Sequence, residues 1–326
     1  MSISRRTLMI TLGTLPAATL LPRSAFAAYP ERPIHLVVPF APGGNADIVG
    51  RIVAEEMSKG LGQPVVVDNR GGAGGAIGAE VVARAAPDGY TLFVGSNGPL
   101  TVNPFVQAHL PYDPLKDFAP IALTSYVPHC LILNNNVAAK TLPELIALSK
   151  KKPLNVATSG VGSATHMTLE RFKAATGANI THVPYKSGGA LMPDLMGGQI
   201  EAAMTELSTA APLHKGGKAR IIAIAAAKRS ELAPDVATFI EGGVKGFTAQ
   251  SYIGILAPAK TPAVIGVQLQ KAIAKGLKGP AADKLRAMGS EIASDEQQTP
   301  NGFAAFIRAD YANMKEAAKL ANITPQ

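Results

Sequence analysis

A single cysteine, Cys130, and no tryptophan occur in 326 residues. One thiol cannot close an internal disulfide, so no disulfide framework holds this fold. Its neighbours Leu131, Ile132 and Leu133 make Cys130 a small buried apolar side chain. The six histidines are dispersed, and no Cys/His cluster has metal-ligand spacing. Neither a metal nor a cofactor is expected. The chain also lacks a phosphate-binding Walker loop, an H-E-x-x-H pair and a G-x-S-x-G elbow. Its nearest approach to the last, Val94-Gly95-Ser96-Asn97-Gly98, is one residue short. Charged residues make up only 17% of the chain, and the basic ones are scattered, as in Lys150-Lys151-Lys152 and Lys228-Arg229. No basic stripe is interleaved with aromatics, which argues against nucleic acid as a partner. Beyond the first residues there is no apolar run long enough to span a membrane.

The start of the chain is different. Arg5 and Arg6 precede an apolar stretch from Leu8 to Leu21, and Ala25-Phe26-Ala27 ends it with small residues. This is the pattern of a signal peptide cleaved after Ala27, and it implies a periplasmic protein. A membrane anchor fits less well, because the stretch is shorter than the ~20 residues a span needs and Pro16 interrupts it. Ser4-Arg5-Arg6-Thr7-Leu8 also resembles a twin-arginine signal, so the export route stays open. Removing the leader takes away three arginines. The formal charge falls from +8 to +5, with 28 basic against 23 acidic residues. A mild positive balance draws in anions weakly.

What the chain has in abundance is alternation of strand and helix signals. Strands are expected over 34–38, 64–67, 91–95, 155–158, 180–183, 200–204, 220–226 and 252–257, with a long apolar run from Ile121 to Leu133. Helices are expected over 76–86, 142–151, 164–176, 189–196, 262–277 and 300–320. Such alternation predicts α/β lobes with mostly parallel sheets, and roughly 300 residues suffice for two. Ligands in such folds sit where strands end and helices begin. Two glycine turns occupy that position. Phe40-Ala41-Pro42-Gly43-Gly44-Asn45-Ala46-Asp47 follows the first strand, and Ser159-Gly160-Val161-Gly162-Ser163-Ala164-Thr165-His166 follows the 155–158 strand. The unpaired amides of a helix start, with the helix dipole behind them, form a socket for an anion. Asn45 and Ser163 are possible caps, and Asp47 lies in the first turn. The pattern alone equally allows a tight βα connection with no ligand. His166 reads either as a hydrogen-bonded structural residue or as a donor to an acid.

Asn69-Arg70-Gly71-Gly72-Ala73-Gly74-Gly75-Ala76-Ile77-Gly78 partly matches a dinucleotide fingerprint. No acidic residue sits at the end of the next strand, so the simpler reading is a glycine turn that lets strand and helix pack closely.

Several stretches together resemble a known family. They are Tyr29-Pro30-x-Arg32-Pro33-Ile34, Val38-Pro39-Phe40-Ala41-Pro42-Gly43-Gly44, Leu61-Gly62-Gln63-Pro64-Val65-Val66-Val67 and Asn69-Arg70-x-Gly72-Ala73-Gly74-Gly75. Ala86-Pro87-Asp88-Gly89-Tyr90-Thr91-Leu92, Leu110-Pro111-Tyr112-Asp113-Pro114-x-x-Asp117-Phe118-Ala119-Pro120, His182-Val183-Pro184-Tyr185-Lys186 and Leu256-Ala257-Pro258-Ala259-x-Thr261-Pro262 follow in order. The chain is similar over most of its mature length to the substrate-binding proteins of tripartite tricarboxylate transporters, the Bug family. The resemblance implies a two-lobed Venus-flytrap fold of the periplasmic-binding-protein type. Its two hinge crossovers fall near Ile121–Leu131 and Phe247–Leu256. Residues 28–125 with 250–326 would form one lobe and 126–249 the other.

The resemblance further implies a monomer that is not an enzyme, captures a small carboxylate (a di- or tricarboxylate or an aromatic acid) and hands it to membrane permease subunits. The implied contacts are Phe40, Ala41, Gly43, Gly44, Asn45, Asp47, Ser96 and Asn97 in one lobe. In the other they are Ser159, Gly160, Gly162, Ser163, His166 and Tyr185. Many family members carry Phe-Asp-Asn where this chain has Met204-Thr205-Glu206. Thr205 replaces an Asp that answers a ligand ammonium in some of them, which tilts the ligand toward an acid without an amine. Glu206 is either a solvated surface acid or a site residue, and in the cleft a charged Glu206 would repel a carboxylate. A periplasmic sensor subunit and, further off, an exported α/β hydrolase using Ser163 or His166 are the alternatives.

Overall fold

The computed structural model describes residues 29–320 and Pro325; the expected signal peptide lies outside them. The first series runs β1 (Ile34–Val38), α1 (Asn45–Leu61), β2 (Val65–Asn69), α2 (Ala76–Ala83), β3 (Thr91–Ser96) and the short α3 (Asn103–Val106). A 16-residue strand, β4 (Phe118–Leu133), leads into the second series. That series is α4 (Leu142–Lys151), β5 (Leu154–Thr158), α5 (Ala164–Thr176), β6 (Ile180–Pro184), α6 (Met192–Gly197), β7 (Ala202–Glu206), α7 (Leu207–Lys215) and β8 (Arg220–Ile224). The chain returns through β9 (Gln250–Pro258) and ends with α8 (Ala263–Gly276), α9 (Pro280–Arg286), β10 (Glu291–Ile292) and α10 (Pro300–Leu320).

The strands line up as β2-β1-β3-β9-β4-β7-β5-β6. Pairing is parallel in each flank, β1 with β2 and β3, and β5 with β6 and β7. It is antiparallel around β4 and β9. The expectation of mostly parallel sheets therefore describes the flanks, and the centre departs from it. The reason is that β4 carries the chain out of one lobe and β9 carries it back. β4 pairs with β9 from Phe118 to Pro128, then with β7 and β8 from His129 or Cys130 to Leu133. Proline cannot donate to a ladder. Pro120 sits beside an irregularity in register, and Pro128 stands where β4 changes partners.

Each flank is buried on both faces, as parallel sheets are. On β1, Leu36 and Val38 join one core with Val49, Val53 and Leu269, while Val37 joins another with Phe93 and Phe303. On β5, Val156 and Ala157 divide in the same way between two cores of the second lobe. This period of two fixes which way every strand end faces.

Several elements differ from the sequence-based expectation. Helix α6 begins at Met192, not Gly189, because Gly188 and Gly189 pass against the other lobe. Helix α2 stops at Ala83, short of 86. The segment Gly98–Val106, with no expected structure, is helical, with a π-type turn leading into α3. So is α7, in spite of Pro212. Among the described residues no helix is long and apolar enough to cross a membrane.

Candidate functional site

Helix α1 starts at Gly44, whose extended φ of −85° and ψ of 170° suit a cap, yet no side chain caps it. The amides of its first turn are therefore left to an outside partner. Gly43 adopts a left-handed φ of +82° and turns the chain into the helix. Its amide does not join the socket, because Gly43 N donates to Asp47 Oδ2 at 2.9 Å. Asp47 also accepts from Arg51 and from Asn69 Nδ2. Burial raises the Asp47 pKa, but these hydrogen bonds from Arg51, Gly43 and Asn69 outweigh it and hold the carboxyl below its ordinary range. Asp47 and Gly43 thus brace the turn from behind. Asn45 is not the cap; it lies inside the helix, and its Oδ1 accepts from Ser208 Oγ of the other lobe at 2.9 Å.

The second helix start resembles the first in sequence and differs in chemistry. Ser163 caps α5, accepting from His166 N at 3.1 Å. Ser159 N donates to Thr165 Oγ1, and Gly160 N to Thr158 Oγ1. Gly162 N donates to His166 Nδ1 at 3.3 Å. His166 stacks on His182 at 4.2 Å, and burial pushes both imidazoles down, His182 to about 4. Most of the loop's amides are thus satisfied within the loop itself. His166 is held by the loop through Nδ1 and the Gly162 amide.

Between the two helix starts lies a cavity of about 20 Å³, room for a water molecule. From the first lobe it is walled by Phe40, Gly44, Asn45, Ala46 and Ser96, and from the second by Ser159, Ser163, Ser187, Gly188 and Glu206. The hydroxyls of Ser96 and Ser159 are buried without a partner. Ser251, on the returning strand β9, closes the back. A wider cavity of about 580 Å³ shares Phe40 and Ser159 with it, and its size is typical of small-molecule sites. Ala41, Gly72–Gly75, Gly160, Val161, Tyr185 and Lys186 line the wider one.

The lobes meet directly around these cavities. Ala41 N donates to Lys186 O at 3.1 Å. A Cβ on Gly189 would lie 2.4 Å from the Gly43 backbone, and one on Gly74 2.5 Å from Val161 O. The Gly72–Gly75 turn is therefore a wall of the cleft as well as a packing device.

Of the expected contacts, Phe40, Gly44, Asn45, Ser96, Ser159 and Ser163 line the small cavity, and Ala41, Gly160 and Tyr185 the wide one. Tyr185 hydroxyl is bonded to Asp194. Gly43, Asp47, Gly162 and His166 stand behind these surfaces, as does Thr205, whose hydroxyl reaches Glu206. Asn97 faces away, accepting from Tyr252 N and lining a separate cavity behind β9. Sequence reasoning missed Ser187, Gly188 and Ser251. Ser187-Gly188-Gly189 after a strand is itself a glycine turn and was open to the same argument as the other two. Ser251 carries no local signal, since only pairing across the hinge brings it in.

Glu206 ends β7 and is 8% exposed, so the solvated-surface alternative falls. Ser251 Oγ lies 3.2 Å from its Oε1, and Thr205 Oγ1 donates to its Oε2 at 3.3 Å. Burial pushes its pKa up. Among the described residues no group of three or more His, Cys, Asp or Glu could hold a metal ion.

Residues 49–318 match the tripartite tricarboxylate transporter family receptor. The chain is 36% identical over 310 residues to protein BugT of Bordetella pertussis, covering 94% of each. Among solved structures, an R. palustris protein, Rpa4515, with adipate superposes with a TM-score of 0.87 at 33% identity, covering 91% of this chain and all of the other. MatC from Rhodopseudomonas palustris with bound malate gives a TM-score of 0.86 at 33% identity, covering 89% of this chain and all of MatC.

Proposed function

This chain belongs to the tripartite tricarboxylate transporter receptor family, and we propose that it captures a small carboxylic acid between its lobes and presents it to membrane permease subunits. It is a periplasmic binder, not an enzyme, and works as a monomer without nucleic acid. Its leader is removed after Ala27. The moving bodies are residues 28–125 with 250–326 on one side and 126–249 on the other.

One observation carries this reading. An uncapped helix start, Gly44 to Ala46, and the unpartnered hydroxyls of Ser96 and Ser159 converge on one cavity. All of these groups can donate to an anion. A carboxylate head fits that polar end once the lobes part, and the rest of the acid extends into the wider cavity. There Lys186 is available to a second acidic group. That geometry favours a dicarboxylic acid, in keeping with the adipate and malate of the two relatives. Charge-assisted hydrogen bonds contribute roughly 1.5–3 kcal/mol each. Several of them suffice for micromolar affinity, about −8 kcal/mol, after ordering costs. Closure follows from the ligand's preference for the state in which both lobes touch it.

The test is titration calorimetry and thermal shift with malate, adipate and their diamides. Binding of a diacid with a raised melting temperature, and none by the diamide, is expected. Equal binding of acid and amide, or no binding across a carboxylic acid panel, overturns the reading.

A further inference from the structure

A buried acid beside a proposed carboxylate site raises the question of its charge, and the hydrogen bonds behind Glu206 bear on it. Thr168 Oγ1 lies 3.0 Å from Ala164 O. A carbonyl only accepts, so the Thr168 proton is committed there. His129 Nδ1, at 2.8 Å from Thr168 Oγ1, must then be the donor in that contact. His129 is fully buried, and burial, with a smaller contribution from Arg171, pushes its pKa down to about 3. A neutral imidazole protonated on Nδ1 has only a lone pair on Nε2. Nε2 lies 2.8 Å from Ser251 Oγ, so it takes the Ser251 proton. Ser251 has no second proton for Glu206 Oε1 at 3.2 Å. With an ionised Glu206 this contact sets lone pair against lone pair. With a protonated Glu206 every member of the chain is satisfied.

The surroundings agree. Glu206 meets Ser251 from β9, Thr205 from its own strand and Gly188 from the loop after β6. The titratable groups beside it are His129 and Cys130 on β4, the first neutral and the second a thiol pushed further up by burial. Asp47 on α1 is spent on Gly43, Arg51 and Asn69. Among the described residues no cation contributes to the balance at Glu206.

We propose that a one-way chain of hydrogen bonds from Ala164 through Thr168, His129 and Ser251 holds Glu206 as a neutral acid, so that the cleft accepts a carboxylate beside it and loses affinity when that proton leaves. This rests on the carboxylate reading above for its consequence, but not for the protonation state itself. Glu206 is a specificity device: it admits anions in its neutral form and repels them when ionised.

Two measurements test it. The first is infrared difference spectroscopy of ligand-free protein against Glu206→Gln at neutral pH. A carbonyl band of a protonated carboxylic acid, lost in E206Q, is expected. The second is calorimetry with malate and adipate from about pH 6 to about pH 9. Wild-type affinity should fall by about tenfold per pH unit above the Glu206 pKa, while E206Q, which keeps a donor toward Ser251, binds with a flat profile. Thr168→Val removes the anchor of the chain and should shift the wild-type profile to lower pH. An ionised Glu206 at neutral pH, or wild-type affinity that stays flat while the infrared band shows Glu206 losing its proton, overturns the proposal. A protonated Glu206 in a protein that binds no carboxylic acid supports the assignment and removes the receptor reading instead.

Discussion

The starts of α1 and α5 are the same motif with opposite outcomes. Both follow a strand, both turn on glycine, and both begin a helix beside the cleft. Within its own turn and first helical turn, the first has only Asn45 and Asp47 as polar side chains. Asp47 is pulled back onto Gly43, Arg51 and Asn69, and the helix start stays open. The second is dense in short hydroxyls. Thr158, Ser163 and Thr165, with His166, consume the amides of Ser159, Gly160, Gly162 and His166. A glycine turn before a helix thus sets the direction of its amides, and the neighbouring side chains decide whether any remain for a ligand. One lobe offers main-chain donors and the Ser96 hydroxyl. The other offers the Ser159 hydroxyl and the Ser187–Gly188 turn.

The sharpest way to break this asymmetry is to close the open socket. Gly44→Asp places a carboxylate on the free amides of α1 in a backbone conformation that any residue adopts. Its Cβ would lie 3.2 Å from Ser187 Cβ, so a small adjustment suffices. The new cap should stabilise the helix by a few tenths of a kcal/mol and raise the melting temperature by about a degree. Carboxylate affinity should fall by about a hundredfold or more, roughly 2.7 kcal/mol. A variant that is more stable and still binds malate or adipate with wild-type affinity in calorimetry would show that α1 is not the socket.

Closure itself is the next largest effect. Gly189→Ala sets a Cβ 2.4 Å from the Gly43 backbone, and this contact exists only when the lobes are together. About a tenfold loss of affinity is expected, about 1.4 kcal/mol. The melting temperature should stay nearly unchanged, because each lobe keeps its own core. Small-angle scattering with ligand would register a more open form. Gly189→Ala with unchanged affinity would argue against lobe contact at this point.

Much of this was legible in the chain. Strand β1 and helices α4 and α5 stand at the expected limits, because Thr141 and Ser163 cap the helices and Gly177 ends α5 in a left-handed turn. Phe40, Gly44, Ser96, Ser159 and Ser163 reach the small cavity because strand ends and helix starts share one edge of an α/β sheet. Positions set by the other lobe were not legible. Ser208 reaches Asn45 across 163 positions, and Ser251 reaches Glu206 across 45. Nor could composition tell that Asp47 and His166 would fold back on their own loops, since a polar residue in a first turn can face either way.

Acid should separate the two loops. His166 accepts the Gly162 amide only while its Nδ1 is unprotonated. Burial lowers the pKa of both stacked imidazoles, His182 to about 4, whereas histidine in the unfolded chain protonates at about 6.5. Their contribution is therefore whole above about pH 6.5; that of His182 is lost as pH falls toward 4, and that of His166 as pH falls below its ordinary range. Asp47 is held low, so the Gly43 contact should last to still lower pH. Hydrogen exchange, corrected for the intrinsic rate, should show Gly162 losing protection first on acidification. Simultaneous loss at both amides would mean that the loops do not differ in this way.

The finest contrast lies between two serines four residues apart. Ser163 Oγ accepts from His166 N, and Ser159 Oγ has no partner. Ser163→Ala deletes a cap and should cost about 1 kcal/mol, seen as a fall of about 2–4 °C in melting temperature. Its effect on affinity should be slight, because that oxygen already serves its own helix. Ser159→Ala deletes no intramolecular bond, so stability should hold or rise slightly once a buried hydroxyl without a partner is gone. Affinity should fall by about threefold to tenfold, the worth of one hydrogen bond of roughly 1 kcal/mol. Measured side by side, the two variants should move opposite quantities. If both moved stability alone, the unpartnered hydroxyl would not be a ligand contact, and the second lobe would be left with the Ser187–Gly188 turn as its hold on the acid.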